Sequence, residues 1–223
     1  MSYLELSLLF AGPVKTGVLA KWAEAAPPQS IGIVAPFPLT HRKPPAGTKH
    51  WAHDATTGDF RISDTARTAI DPLREAVGIL KARYVVFRSA DTLSPSAANR
   101  DALTRFFAEL ATTEAIGAER VWVPGGLWEP RAAVKFASEL GVVCAVDPLV
   151  QAPGDQADPL DDLEADSLYF RVESAGRAGT IRNERLEDLA ALLEGYEDRS
   201  VTVVFASPER WQDARNFKKL LDG

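Results

Sequence analysis

Short apolar runs alternate with amphipathic stretches along the whole chain. Seven runs are rich in β-branched and aromatic residues and too short for helices: Leu4–Leu9, Ile31–Ala35, Tyr84–Arg88, Arg120–Val123, Val142–Asp147, Leu168–Glu173 and Val201–Ala206. The run Val142-Val143-Cys144-Ala145-Val146 is apolar at every position. That pattern belongs to a parallel strand with helices packed over the sheet, since a strand with one wet face would alternate.

Between these runs the apolar period lengthens to that of a helix. Val18, Leu19 and Trp22 form one stripe within Val14–Ala25, and Ile70, Leu73, Val77 and Leu80 form another within Thr65–Leu80. Leu103, Phe106, Phe107 and Leu110 mark a helix over Ala97–Ala111. Pro130 near the start and Gly141 just past the end delimit a helix over Glu129–Leu140. Leu186, Leu189, Leu192 and Leu193 mark Asn183–Leu193. Ser207-Pro208 reads as an N-cap with proline at the first helical position, opening a last helix that presents Trp211, Ala214, Phe217, Leu220 and Leu221. Strand and helix alternate from end to end, which predicts an α/β fold with a parallel sheet in a single domain over residues 1–223.

Two stretches break the rhythm. Pro36–Arg61 is long and rich in Pro, Gly, Thr and His, and it follows a strand, so in a barrel it lies on the carboxyl-end face where sites form. Gln151–Asp166 is acidic with Pro and Gly, and without the spacing and closing Glu of a calcium loop it reads as a solvated connection.

The formal net charge of −6, with scattered basic residues, argues against a nucleic-acid or anionic-membrane partner. One cysteine, Cys144, excludes an internal disulfide and sits in an apolar run as a buried thiol. The sequence shows neither a membrane-length apolar run nor a leader pattern, which sets the expectation of a cytoplasmic protein.

In order and spacing these elements resemble the YecE-like family (domain of unknown function 72), a TIM-barrel family. The residues that carry the likeness are Leu39-Thr40-His41 after the second run, Glu119-Arg120-Val121-Trp122-Val123 followed by Gly125-Gly126-Leu127-Trp128, Asp147 closing its strand, Arg171 in Leu168-Tyr169-Phe170-Arg171, and Val203-Val204-Phe205 with Trp211, Asp213 and Phe217 beyond. The resemblance implies an α/β TIM-barrel-like (β/α) barrel, incomplete or distorted with seven strands, because the family's first strand has no counterpart before Tyr3. Against the family pattern, Ser7 stands for Asn, Val34 for Lys, Pro124 for Glu, Glu173-Ser174 for His-Gly and Ala206-Ser207 for paired asparagines. Val and Pro cannot exchange protons, so the resemblance implies a degenerate pocket.

In a barrel the pocket is drawn from strand carboxyl ends, which gives Ser7, Thr40, Arg88, Arg171 and Glu173 as ligand-binding candidates and Glu5, His41 and Asp147 as weak catalytic ones. Arg171 and Glu5 are charges inside apolar strands, so each needs a partner or a ligand. Either Glu5, Arg171 and Asp147 pair as a buried network, or Arg171 and Arg88 hold a carboxylate or phosphate. His50 and His53, three apart beside Asp54, are weak metal-ligand candidates, and no metal or cofactor is expected, since nothing else in the sequence supports a site. Three roles stay open: a small-molecule-binding or non-catalytic scaffold, an enzyme acting by general acid–base chemistry on a small anionic substrate, or an interaction module using an exposed edge strand. With seven strands, the seam between Leu4–Leu9 and Val201–Ala206 is expected to be zipped shut or covered in a homodimer.

Overall fold

The computed structural model describes residues 3–47, 51–125, 127–150, 160, 163, 165–173 and 179–222. The expected alternation is present. In chain order the elements are β1 (Leu4–Leu6), α1 (Leu8–Ala11), α2 (Thr16–Ala25), β2 (Ile31–Val34), α3 (Phe37–Thr40), α4 (Asp64–Leu80), β3 (Tyr84–Arg88) and α5 (Ala97–Arg105), which runs on into a π-helical turn, Phe106–Leu110. Then follow α6 (Thr113–Ile116), β4 (Glu119–Val123), α7 (Pro130–Glu139), β5 (Val143–Val146), β6 (Ser167–Val172), α8 (Asn183–Glu194), β7 (Ser200–Phe205) and α9 (Arg210–Leu221). No helix among the described residues is long and apolar enough to cross a membrane.

The seven strands form one parallel sheet in the order β1-β2-β3-β4-β5-β6-β7. Each strand therefore pairs only with its neighbours in sequence. The sheet curls until its two ends face each other across a seam, an incomplete TIM-like barrel. Among the described residues β7 and β1 do not pair, so the expectation of a zipped seam is corrected.

Two apolar layers hold this shape. The outer layer packs helices on the sheet through Ile31, Ile33, Leu73, Phe87, Trp122 and Phe170, all buried. The inner layer fills the barrel with Tyr84, Val86, Val121, Ala145 and Tyr169. Burial on both faces is why these strands read as continuous apolar runs.

Two boundaries differ from the sequence pattern for local physical reasons. The run expected as one strand over Leu4–Leu9 leaves the sheet after Leu6 and turns through α1, which buries Leu9 and lets its carbonyl accept the Trp51 indole N–H at 3.0 Å. The last helix starts at Arg210 with Glu209 at its N-cap, not at Pro208. Ser207 instead donates its hydroxyl to the buried Asp213 carboxylate, which also accepts the Ile181 N–H at 2.9 Å.

Gly32 on β2 sits directly beneath the Tyr3 side chain, where an added Cβ would coincide with the Tyr3 hydroxyl. Gly32→Ala is therefore expected to destabilise the protein by about 1–3 kcal/mol through overpacking. Gly78→Ala, on the exposed face of α4 with open space around it, is expected to stabilise by about 0.5–1 kcal/mol. Urea denaturation of the two variants checks the opposite signs.

Candidate functional site

Period-two alternation sends every second strand residue into the barrel. The inward positions are Tyr3, Glu5 and Ser7 on and beside β1, Tyr84, Val86 and Arg88 on β3, and Tyr169, Arg171 and Glu173 on and beside β6. The deepest layer is aromatic. Tyr3, Tyr84 and Tyr169 meet edge to face, with ring centroids 5.3 to 6.1 Å apart. The Tyr169 hydroxyl donates to Glu5 Oε2 at 2.8 Å, so the 3.2 Å contact between Tyr3 and Tyr169 must have Tyr3 as donor. Thr202 on β7 donates to the Tyr84 hydroxyl at 3.3 Å. Burial raises the pKa of all three phenols, which keeps them protonated as donors.

Above the tyrosines lies the charged layer. Arg171 is only 7% exposed, its Nε stands 3.6 Å from Glu5 Oε2, and its Nη1 contacts Glu173. The guanidinium is thus charge-compensated by two carboxylates, Glu5 and Glu173. Burial lowers its pKa, Glu5 opposes this, and the nearby Arg88 lowers it further.

Arg88 ends β3 and is exposed at the barrel mouth. His41 lies close enough to feel that charge: burial lowers its pKa, Arg88 adds to the effect, and Asp59 and Asp91 oppose it. Thr40 is buried, with its hydroxyl 2.7 Å from His41 Nδ1. Asp147 is committed to the backbone, accepting the N–H of Leu149 at 3.0 Å and of Glu173 at 2.8 Å. Burial raises its pKa, and the Leu149 hydrogen bond, Arg185 and Arg171 oppose that rise.

A cavity of about 1240 Å³ opens along the seam, and Glu5, Ser7, Arg88 and Arg171 line its inner wall. The structure therefore brings four of the sequence candidates to one cavity and sets Glu173 on Arg171. Of the expected network of Glu5, Arg171 and Asp147, the Glu5–Arg171 pair is present, but Glu173 is the second partner, because Asp147 is taken up by the backbone amides of Leu149 and Glu173. Thr40 and His41 stand at the mouth. Of the two histidines considered as metal ligands, His50 lies outside the described residues and His53 directs Nδ1 toward the Trp51 carbonyl at 3.5 Å. Among the described residues no three His, Cys, Asp or Glu side chains gather as a metal site would require. Most of Gln151–Asp166, together with Gly126 and Ser174, also lies outside the described residues. Cys144 is buried and its thiol pKa is pushed up to about 12, which makes it inert.

Sequence reasoning missed the three tyrosines. Their signal is a spacing of two from the charged candidates on the same strands: Tyr3 before Glu5 and Tyr169 before Arg171, with Tyr84 four before Arg88.

Solved structures of the same fold are DUF72 family proteins, the family the sequence resembles. One from Enterococcus faecalis V583 matches with 12% identity and a TM-score of 0.65, over 100% of this chain and 90% of its own. Another, from Thermotoga maritima MSB8, matches with 14% identity and a TM-score of 0.64, over 100% of this chain and 85% of its own. No family model and no curated protein matches the sequence.

Two outcomes follow from this geometry. Arg171→Ala leaves the Glu5 carboxylate buried without its cation and is expected to cost about 3–5 kcal/mol. The pair Glu5→Gln with Arg171→Met is expected to recover most of that loss in urea denaturation. Acid stability tests His41. Its folded pKa is lowered, so the unfolded chain takes up the proton first and stability falls as pH drops below the ordinary histidine value of 6.5. His41→Gln is expected to flatten the decline in melting temperature between roughly pH 7 and 5.5, whereas Asp147, whose pKa is raised, acts in the opposite sense.

Proposed function

We propose that the protein is a small-molecule-binding barrel that holds an anionic ligand, a carboxylate or phosphate, between Arg88 and Arg171 without turning it over. The observation that carries this reading is the buried Arg171 guanidinium, which lines the same cavity as Arg88 and lies near enough to feel its charge. Paired guanidiniums present the forked donors that planar or tetrahedral oxyanions accept. The absence of turnover is supported by how the acidic groups are used. Glu5 already accepts from Tyr169 and pairs with Arg171, and Asp147 is occupied by two backbone amides. Val34 and Pro124, where the resembled family has Lys and Glu, add no proton-transfer group.

One observation favours a second reading, an enzyme of general acid–base type: His41 stands 2.7 Å from the Thr40 hydroxyl, and burial and Arg88 favour its neutral form, the form that accepts a proton.

Thermal denaturation with a panel of phosphorylated and carboxylated metabolites tests both. A true ligand at a hundred times its Kd is expected to stabilise the wild type by about 2.7 kcal/mol. Arg88→Ala, an exposed position, is expected to keep the fold and lose that shift. Equal shifts in wild type and variant, or none across the panel, would sink the anion site. Chemical conversion of the bound metabolite, followed by NMR, would replace the binding reading with the enzymatic one.

A further inference from the structure

The cavity that carries the proposed anion site between Arg88 and Arg171 is also open, along the seam, on a polypeptide scale. At about 1240 Å³ it exceeds the roughly 300–1,000 Å³ of ordinary small-molecule pockets. It also runs from the barrel interior out between α2 and α9, with Trp22, Trp211 and Leu221 on its outer wall. Of the six exposed large apolar side chains among the described residues, four (Val18, Trp22, Trp211 and Leu221) lie on those two helices. Exposed apolar surface is thus concentrated beside the seam.

The hydrogen-bonding groups of the two edges can be assigned. On β7 the Ser200 N–H donates to Asp166 O and the Ala206 N–H to Val172 O, so alternate residues from 200 to 206 bond to β6. The N–H and C=O groups of Val201, Val203 and Phe205 consequently face the seam. On β1 the Leu4 N–H donates to Ser30 O, which directs the Glu5 backbone to the seam. Both edges run in the same direction, so a single parallel strand would satisfy both.

The charge of the lining narrows the occupant. Arg83, Arg88, Arg171, Arg210 and Lys218 outnumber Glu5 and Asp222, in a protein whose net charge is −6. We propose that the seam is a docking site for an extended segment of a partner polypeptide. That segment inserts as a parallel strand between β7 and β1, carries apolar side chains at alternate positions, and is flanked by acidic residues. Main-chain hydrogen bonds to both edges supply the affinity, and the outer wall of Trp22, Trp211 and Leu221 reads the alternate side chains.

The test is selection of short random peptides displayed on phage against the full chain, followed by hydrogen exchange with the synthesised winners. The expected winners alternate apolar residues, carry acidic flanks, and slow exchange at the amides of Glu5, Val201, Val203 and Phe205. Val203→Pro removes a seam-facing donor without touching the β6 ladder and is expected to weaken binding about tenfold or more. Trp211→Ser, at an exposed position, provides the same comparison should the proline variant unfold. Three results would each overturn the proposal. The seam amides are already protected in the free monomer, they become protected only as the chain self-associates, or the selected peptides bind without protecting them.

Discussion

A parallel sheet that curls round without joining its ends needs something other than backbone hydrogen bonds to hold the curl. Here that constraint is the Glu5–Arg171 pair with the tyrosine relay beneath it. Tyr3 and Glu5 on the β1 side reach past β7 to side chains of β6, and the chain Tyr3 to Tyr169 to Glu5 runs in one donor direction. With both side chains largely buried, the pair is strong when aligned and costly when half-made. The placement of β1, the width of the cavity and the approach of Arg88 to Arg171 all follow from this crossing. Gly32 belongs to the same device, because it is the absence of a side chain there that lets Tyr3 lie across the barrel floor.

The strands and most helices were legible because burial on both faces leaves an unambiguous apolar signature. Tyr84–Arg88 matches the sequence pattern residue for residue, the first strand stops three residues short at Leu6, and the others shift by one at their ends. The errors occur where a local pattern had two solutions. Leu8-Leu9-Phe10 extends an apolar run, but the need to bury Leu9 beneath Trp51 bends it into a turn. Ser207-Pro208 has the form of a helix start, but the buried Asp213 carboxylate, six residues on from Ser207, competes for the hydroxyl. The candidate site was half legible. Charges inside apolar strands announced Glu5 and Arg171, whereas the tyrosines looked like ordinary core residues. The seam was legible from the count of seven strands, but that it stays open was not, since that depends on how far the strands curl and not on any one segment.

The carboxyl-end mouth and the seam also divide the electrostatics. An acidic surface surrounds a groove in which guanidiniums predominate, so the molecule as a whole repels anions weakly while its opening attracts them. Burial acts on two titratable groups there as well, disfavouring the imidazolium form of His41 and the ionised form of Asp147.

The neighbour-by-neighbour strand order has a consequence for how the chain reaches this state. A fully closed barrel cannot finish its ladder until its first and last strands meet, and that meeting carries the full loop-closure entropy of the chain. Here every backbone ladder joins sequence neighbours, and only side-chain contacts such as Tyr169 to Glu5, 164 residues apart, join the ends. Folding can then advance by accretion, one strand and helix at a time, with ring formation deferred to a final side-chain step. On this view the ends contribute little to the transition state, and their contacts set the unfolding rate more than the folding rate.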